Sequence, residues 1–292
     1  MRADHHPFKS DKAKQRYLER YALRAAAWPV AHDEKTVKTS YGTTFVRTSG
    51  PKKAAPLVML PGIGSPGLTF IANVERLSQR YRTIAVDCIW DNGRSVADKS
   101  LTCADDFTAW LDELFDGLGL ETVNLLGLSY GGWQAVHYAL RFPERVAKLV
   151  LLAPAGTTAN IPWGFIWRAL LCLIPARFFM ANFMNWIITD AEATESGKRL
   201  LEEMVDDAYL AQRCFKSRKM VPPLPLAEEQ WKSLSVPTLF LAGDKEVIFP
   251  PHEAVEKLAV LAPETVRAEL LDNAGHDFFA VRAKEVDQRV LS

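Results

Sequence analysis

The sequence of 292 residues has no surplus of charge of either sign, because 35 Lys and Arg residues balance 35 Asp and Glu residues. A basic stripe or patch is the usual footprint of nucleic-acid binding, and no long basic cluster interleaved with aromatic residues occurs in the sequence. We therefore expect no nucleic-acid partner. The hydrophobic fraction of 48% is ordinary for a globular protein.

Cysteine is also scarce. The four cysteines are scattered and form no CxxC pair; they are Cys88, Cys103, Cys172 and Cys214. This spacing gives no pattern for a zinc site or a disulfide framework. We expect no metal and no other cofactor, and nothing in the sequence requires an oxidising compartment.

Long uninterrupted hydrophobic runs are missing as well. Residues 1–7 lack the apolar core of a signal peptide. The most apolar region, 161–188, is interrupted by arginine, proline and asparagine, so its uncharged runs fall short of the roughly 18–20 residues that a membrane span requires. We therefore expect a cytoplasmic protein without a membrane span.

Short apolar segments alternate with segments of helical periodicity from residue 56 onward. The predicted strands are Pro56–Leu60, Thr83–Val86, Val123–Leu126, Lys148–Leu152, Thr238–Leu241 and Arg267–Leu271. The predicted helices are Leu68–Arg80, Ala104–Leu118, Gly132–Arg141, Pro251–Leu261 and Phe278–Val290. Most of the strands are continuously apolar, as in a parallel sheet covered on both faces. The sequence predicts an α/β fold with a doubly wound, mostly parallel sheet.

Two regions depart from this alternation. Near the start, Asp11–Trp28 has the pattern of an amphipathic helix, and a β-hairpin is predicted around Tyr41-Gly42. A later region has helical stretches but no strand of the repeating type. We expect an N-terminal helical extension at 1–34, an α/β core at 35–155 and 235–292, and a helical cap inserted at 156–234.

The most informative motif is Gly127-Leu128-Ser129-Tyr130-Gly131. A predicted strand precedes it and a predicted helix follows it. A serine at such a strand-to-helix turn projects its hydroxyl above the sheet, where it can act as a nucleophile. Ser129 is the candidate catalytic nucleophile.

A serine hydroxyl needs a base to become nucleophilic at neutral pH. Of the six histidines, His276 lies in a polar turn directly after the last predicted strand. Active sites of parallel sheets form at the carboxyl ends of the strands. His276 is therefore the candidate base.

The base in turn needs a carboxylate to orient it, and the order Ser, acid, His places this acid after the preceding strand. Two carboxylates follow Gly243, namely Asp244 and Glu246. Aspartate is the commoner residue in this role, but in related Gly-x-x-Asp turns the acid stands three residues beyond the glycine. We assign Glu246, with Asp244 as the alternative.

The negative oxygen that forms during acyl transfer needs backbone N–H donors. One candidate is the amide of Tyr130, directly after the nucleophile. The second is the amide of Ile63, in the glycine-rich loop that follows the first central strand.

With these residues in place, the chain resembles the α/β-hydrolase superfamily, and more narrowly the bacterial carboxylesterases with a Ser–Glu–His triad. The matching segments are Trp28-Pro29, Leu60-Pro61-Gly62, residues 127–132, residues 243–248 and residues 273–276. Many relatives carry His where this chain has Pro61. The resemblance implies hydrolysis of a carboxylic ester through an acyl-enzyme.

The predicted cap is rich in aromatic residues. We expect Trp163, Trp167, Phe183 and Trp186 to line a pocket for a small ester with an apolar acyl or aryl group. The alternative is that all of these residues pack between cap and core. The same triad also serves hydrolysis of C–C, amide or lactone bonds and acyl transfer, and a non-catalytic ligand receptor is a further alternative. The sequence does not indicate an oligomeric state.

Overall fold

The structure is a computed structural model that describes residues 6–189 and 194–292, and a nine-stranded sheet forms its centre. The strands are β1 His32–Thr39, β2 Gly42–Ser49, β3 Pro56–Leu60, β4 Arg82–Val86, β5 Val96–Ala97, β6 Val123–Leu128, β7 Val146–Leu152, β8 Thr238–Gly243 and β9 Val266–Leu271. Their order across the sheet is β1-β2-β4-β3-β6-β7-β8-β9, with β5 paired to β2.

The sheet is parallel from β4 to β9 and antiparallel at its β1–β2 edge. The predicted hairpin is confirmed, because Thr39 pairs with Gly42 across the turn. All six predicted parallel strands are present within one or two residues of their expected bounds. The expectation of a mostly parallel α/β sheet is confirmed.

Helices cover both faces of the sheet. They are α1 Asp11–Ala26, α2 Val74–Leu77, α3 Ala104–Leu118, α4 Tyr130–Arg141, α5 Trp163–Leu171, α6 Arg177–Ile187, α7 Glu195–Cys214, α8 Glu228–Ser233, α9 Pro251–Leu261, α10 Phe278–Val281 and α11 Ala283–Leu291, with 3₁₀ helices at Gly67–Ala72 and Pro143–Arg145. Along β3, Val58 and Leu60 pack into one core cluster, and Leu57 and Met59 pack into the other. This explains why the central strands are continuously apolar.

Two helices predicted as single elements are each divided. The first, Leu68–Arg80, begins as the 3₁₀ helix and becomes α2 after Asn73, whose side chain turns away to donate to the Phe279 carbonyl and to Asp287. The second breaks at Arg282, where φ is −116° and ψ is 37°. The spacing of apolar side chains does not predict such breaks, because both parts of each divided helix keep an apolar face.

Among the described residues, four helices, α5 to α8, lie between β7 and β8 in the chain. These helices and the segments that join them are called here the helical insertion. A small apolar cluster of Ile187, Ile188, Leu201 and Val205 joins α6 to α7. Helix α7 also contacts α1, because Asp207 forms ion pairs with Arg20 and Arg24. The division into extension, core and cap stays a prediction, and its residues 1–5 and 190–193 lie outside the described part.

Within residues 6–189 and 194–292, no helix is both long and apolar enough to cross a membrane.

The return from the insertion to the sheet depends on one buried tryptophan. Trp231 is fully buried, and its indole N–H donates to the Thr157 carbonyl at 3.4 Å. We expect Trp231→Ala to lower the free energy of unfolding by about 3–5 kcal/mol through the cavity that it leaves. The same change at Trp163, which is 71% exposed, should cost less than about 0.5 kcal/mol. Urea unfolding of both variants measures the difference, and equal losses would contradict this account.

Candidate active site

Ser129 occupies the sharp turn between β6 and α4. Its φ of 51° and ψ of −115° are rare for a residue with a side chain. The amide of Ser129 donates to the Leu152 carbonyl at 2.8 Å, and its own carbonyl accepts from the Ala155 amide at 3.2 Å. The neighbouring strand β7 and the residues after it therefore hold the strained turn in place.

The glycines of the motif are required by close backbone contacts. A Cβ added to Gly131 would lie 2.4 Å from the Leu60 carbonyl oxygen and 2.5 Å from that of Pro61. A Cβ on Gly127 would lie 2.3 Å from the Gly131 carbonyl oxygen. These distances are far inside van der Waals contact. Side chains at either position would force apart the turn and the loop after β3.

The three predicted side chains form one hydrogen-bonded series. Nε2 of His276 lies 2.9 Å from Oγ of Ser129, and Nδ1 lies 2.6 Å from Oε2 of Glu246. All three residues are buried. Because a carboxylate can only accept, Nδ1 of the neutral ring carries the proton and Nε2 is free to accept from the serine hydroxyl.

The two candidate acids differ in what they contact. The second oxygen of Glu246 accepts from the amides of Val247 at 2.7 Å and Ile248 at 2.8 Å, which fixes the carboxylate toward His276. Asp244 instead accepts from the amide of Ala274 at 3.2 Å. The structure thus brings Glu246, and not Asp244, to the imidazole. Asp244 stabilises the loop that carries His276.

Two opposing effects set the charge state of His276. Burial lowers the pKa of the imidazole, but the charge of Glu246 and its hydrogen bond raise it, and Asp277 adds to this. The net pKa is raised above the ordinary 6.5. The carboxylate therefore favours the imidazolium, which is the form that His276 takes once it has accepted a proton.

The helical insertion contacts the histidine loop directly. The amide of His276 donates to the Ile187 carbonyl, at the end of α6, at 2.8 Å. A Cβ on Gly275 would lie 2.8 Å from the same oxygen and from Oγ1 of Thr189. Sequence reasoning missed this support, because the acceptor is a backbone carbonyl and no residue type marks it.

The loop of Ile63 lies near the nucleophile, and Tyr130 directly follows it in the chain. A Cβ added to Gly62 would lie 3.4 Å from Cβ of Ser129, so the loop after β3 lies against the serine. Ile63 is 44% exposed, whereas Tyr130 begins α4. Among the described residues, neither the Ile63 nor the Tyr130 amide donates to a backbone acceptor.

The four predicted pocket residues lie on the insertion in different surroundings. Phe183 and Trp186 pack against Phe165 with ring centroids 5.3 and 6.5 Å away. Trp167 is 40% exposed and Trp163 is 71% exposed. Part of this aromatic surface therefore packs within the insertion. The assignment of all four residues to a substrate pocket stays a prediction.

The chain is similar to known enzymes. The pattern of the family described as "Alpha/beta hydrolase family" matches residues 57–289. The chain is 31% identical to carboxylesterase YbfK of Bacillus subtilis (strain 168), a match that covers 100% of this chain and 98% of the relative. It is 28% identical to 2-hydroxymuconate semialdehyde hydrolase of Pseudomonas sp. (strain CF600), over 74% of this chain and 77% of that relative.

A solved structure agrees with the sequence comparison. Naproxen esterase (carboxylesterase NP) from Bacillus subtilis superposes with a TM-score of 0.87 at 31% sequence identity. The superposition covers 97% of this chain and 98% of that one. The likeness therefore includes the insertion as well as the sheet.

The raised pKa of His276 can be tested without a substrate. Replacing Glu246 by Gln removes the negative charge but leaves the burial, so we expect the imidazole pKa to fall below that of the unchanged protein. Asp244→Asn should leave it unchanged, because Asp244 does not contact the ring. NMR titration of the His276 ring measures all three proteins. A pKa that falls in the Asp244 variant and not in the Glu246 variant would reverse the assignment.

Proposed function

Because the chain belongs to the alpha/beta hydrolase family, we propose that it hydrolyses carboxylic esters through an acyl-enzyme on Ser129. One observation carries the proposal. The Ser129 hydroxyl, the His276 imidazole and the Glu246 carboxylate are joined by hydrogen bonds of 2.9 and 2.6 Å in the order that nucleophile, base and orienter require.

The geometry supports a two-stage reaction. In the first stage, Oγ of Ser129 attacks the ester carbonyl carbon while Nε2 of His276 takes the hydroxyl proton. The C–O bond to the alcohol then breaks, and the imidazolium returns the proton to the leaving oxygen. In the second stage, water attacks the acyl-enzyme with the same histidine as base, which releases the acid and restores Ser129.

Glu246 acts through His276. Its carboxylate holds the imidazole in the tautomer whose Nε2 can accept, and its charge stabilises the imidazolium in the transition state. The Val247 and Ile248 amides stabilise the carboxylate in this orientation.

The amides of Ile63 and Tyr130 are the proposed oxyanion donors. The support is positional, because one belongs to the loop that touches Ser129 and the other begins α4 directly after it. Fixed donors of this kind stabilise the tetrahedral oxygen because they need no reorganisation during the reaction.

The proposed substrate is a small ester with an apolar acyl or aryl group. Two of the three similar proteins named above are carboxylesterases, and one of these is named for naproxen. The helical insertion, as a cap over the site, would supply the apolar contacts from the aromatic residues of α5 and α6. A cytoplasmic location stays a prediction from the sequence.

A second reaction class has one specific finding in its favour. The 28% identical relative is a hydrolase of a semialdehyde, 2-hydroxymuconate semialdehyde. The same nucleophile and base would serve hydrolysis of such a compound. The higher identity and fuller coverage of the carboxylesterases favour the ester.

We expect Ser129 to be the residue that carries the acyl group. A fluorophosphonate probe followed by peptide mapping should label it, and Ser129→Ala should abolish hydrolysis of p-nitrophenyl esters while the protein stays folded. The ester panel should span acetyl to octanoyl and aryl acids, with 2-hydroxymuconate semialdehyde as the comparison. Labelling of another serine, or turnover by the alanine variant, excludes this mechanism. Faster turnover of the semialdehyde than of every ester favours the second reaction class.

We expect Glu246→Gln to lower kcat by roughly 10³–10⁴-fold with little change in KM, because the carboxylate acts on the transition state through the imidazolium. Asp244→Asn is the matched control and should mainly lower the melting temperature, at a cost of about 1 kcal/mol.

The pH profile gives a second readout of the same pair. Attack needs neutral His276, so kcat/KM should rise with pH through a value above 6.5, given the raised pKa. In Glu246→Gln the midpoint should move to lower pH. A profile that is flat from about pH 5 to 8 counts against His276 as the base.

A further inference from the structure

A guanidinium from the insertion reaches the residues that hold the oxyanion loop. Arg218 follows α7, and its side chain is only 26% exposed. Nη1 donates to the Trp90 carbonyl, Nη2 donates to Oδ1 of Asn92 at 2.7 Å, and Nη2 also lies 3.6 Å from Oδ1 of Asp91. The planar guanidinium thus contacts three consecutive residues of one loop after β4.

The same loop forms hydrogen bonds with both backbone polar groups of Gly64. Oδ2 of Asp91 accepts from the Gly64 amide at 2.7 Å, and Nδ2 of Asn92 donates to the Gly64 carbonyl at 2.9 Å. Gly64 has a φ of 78°, a left-handed conformation that glycine adopts without steric cost. Both polar groups of this residue are therefore fixed by the two side chains that Arg218 contacts.

Gly64 directly follows Ile63, whose amide is a proposed oxyanion donor. The bond to Asp91 fixes the plane of the peptide between these two residues, and the bond from Asn92 fixes the plane of the next peptide, which contains the Ser65 N–H. The Ser65 amide donates to the Gly62 carbonyl at 3.3 Å, and this carbonyl shares a peptide plane with the Ile63 N–H. The two side chains therefore fix the peptides that follow the Ile63 amide and, through Ser65, the peptide that contains it.

Arg218 stabilises the Asp91 carboxylate, which is buried. The Asp91 side chain is 5% exposed, and burial, the largest effect, leaves the pKa of its carboxyl group raised. The charge of Arg218 and the amides of Gly64 and Asn92 act in the opposite direction and favour the carboxylate. A protonated Asp91 would accept less strongly from Gly64.

Arg218 is itself held by Phe215 at the end of α7, which packs on aromatic residues near the N-terminus. Its guanidinium carbon lies 5.1 Å from the centre of the Phe215 ring. That ring packs on Phe8 at 4.4 Å and on Tyr17 at 4.7 Å. The Arg218 side chain therefore contacts Phe215 and the loop after β4 at the same time.

We propose that Arg218 is a positioning residue for the oxyanion hole, which holds the Ile63 amide in place through Asp91, Asn92 and Gly64. The proposal rests on the proposed ester hydrolysis and deepens it. It assigns to the helical insertion a part in the chemical step as well as in substrate binding.

The test compares Arg218→Met with Arg177→Met as the matched control. Arg177 forms two ion pairs within the insertion, with Glu202 and Asp206, and among the described residues its side-chain hydrogen bonds are with these two acids. For each variant, kcat and KM for p-nitrophenyl butyrate are measured per active site titrated with fluorophosphonate. The inhibition constant of a trifluoromethyl ketone, which forms a tetrahedral adduct on the serine, is measured as well.

We expect kcat of Arg218→Met to fall by between about 10-fold and about 10³-fold, the upper figure being the cost of losing one oxyanion donor. KM should change little, and affinity for the trifluoromethyl ketone should fall in parallel with kcat. Arg218→Lys should recover part of kcat, because the ammonium still faces Asp91 although it lacks the planar fork. The Arg177 variant should keep the unchanged kcat.

The route through Asn92 has its own test. If Arg218 acts through this side chain, the loss of kcat in the double variant Asn92→Ala with Arg218→Met should be smaller than the product of the two single-variant losses. Fully multiplicative effects would overturn the route, and a kcat per titrated site within about threefold of the unchanged protein would overturn the proposal. Failure of the proposed function is distinguishable, since it appears as turnover by Ser129→Ala in the parent chain.

Discussion

The backbone of Ser129, held at a φ of 51°, is the constraint on which the rest of the site depends. Such a conformation costs on the order of 1–3 kcal/mol and persists only where the surroundings enforce it. The enforcing contacts come from the Leu152 carbonyl and from the close approach of Gly131 to Leu60. The strain of one residue is thus maintained by the packing of β3, β6 and β7, and it directs the hydroxyl toward the imidazole.

The parallel sheet explains how residues far apart in the chain meet. Ser129 and His276 are 147 positions apart, yet both follow the carboxyl ends of strands, as do Glu246 after β8 and the loop of Ile63 after β3. Carboxyl ends of parallel strands share one edge of the sheet, so each loop needs only a few residues to reach the common point. Glu246 and the imidazole are then aligned by local bonds, from the Val247 and Ile248 amides and from the Ile187 carbonyl.

Sequence reasoning predicted those parts that residue type and spacing encode. The glycines around Ser129, the polar turn of His276 and the spacing of Glu246 each have a local chemical signal, and the structure brings these three side chains together. The break after Asn73 lacks such a signal, because its buried side chain bonds to residues more than two hundred positions away. Residue type does not mark the break at Arg282 either. The same holds for Arg218, whose partners lie more than a hundred residues away in the chain. From the sequence alone, an arginine in an insertion is expected to be a surface residue, because its partners are distant in the chain.

The helical insertion meets the core at both sides of the nucleophile. The end of α6 accepts from the His276 amide on the side of the base, and Arg218 contacts the loop that holds Gly64 on the side of the oxyanion. The helical insertion therefore contacts the loop of the base and the loop that holds Gly64. A side chain that alters how the insertion sits changes donor and base geometry together, and small displacements of preorganised groups are costly for the chemical step. Under the proposed function, the aromatic residues of α5 and α6 are constrained by catalysis as well as by substrate size, which limits how freely specificity can diverge on this scaffold.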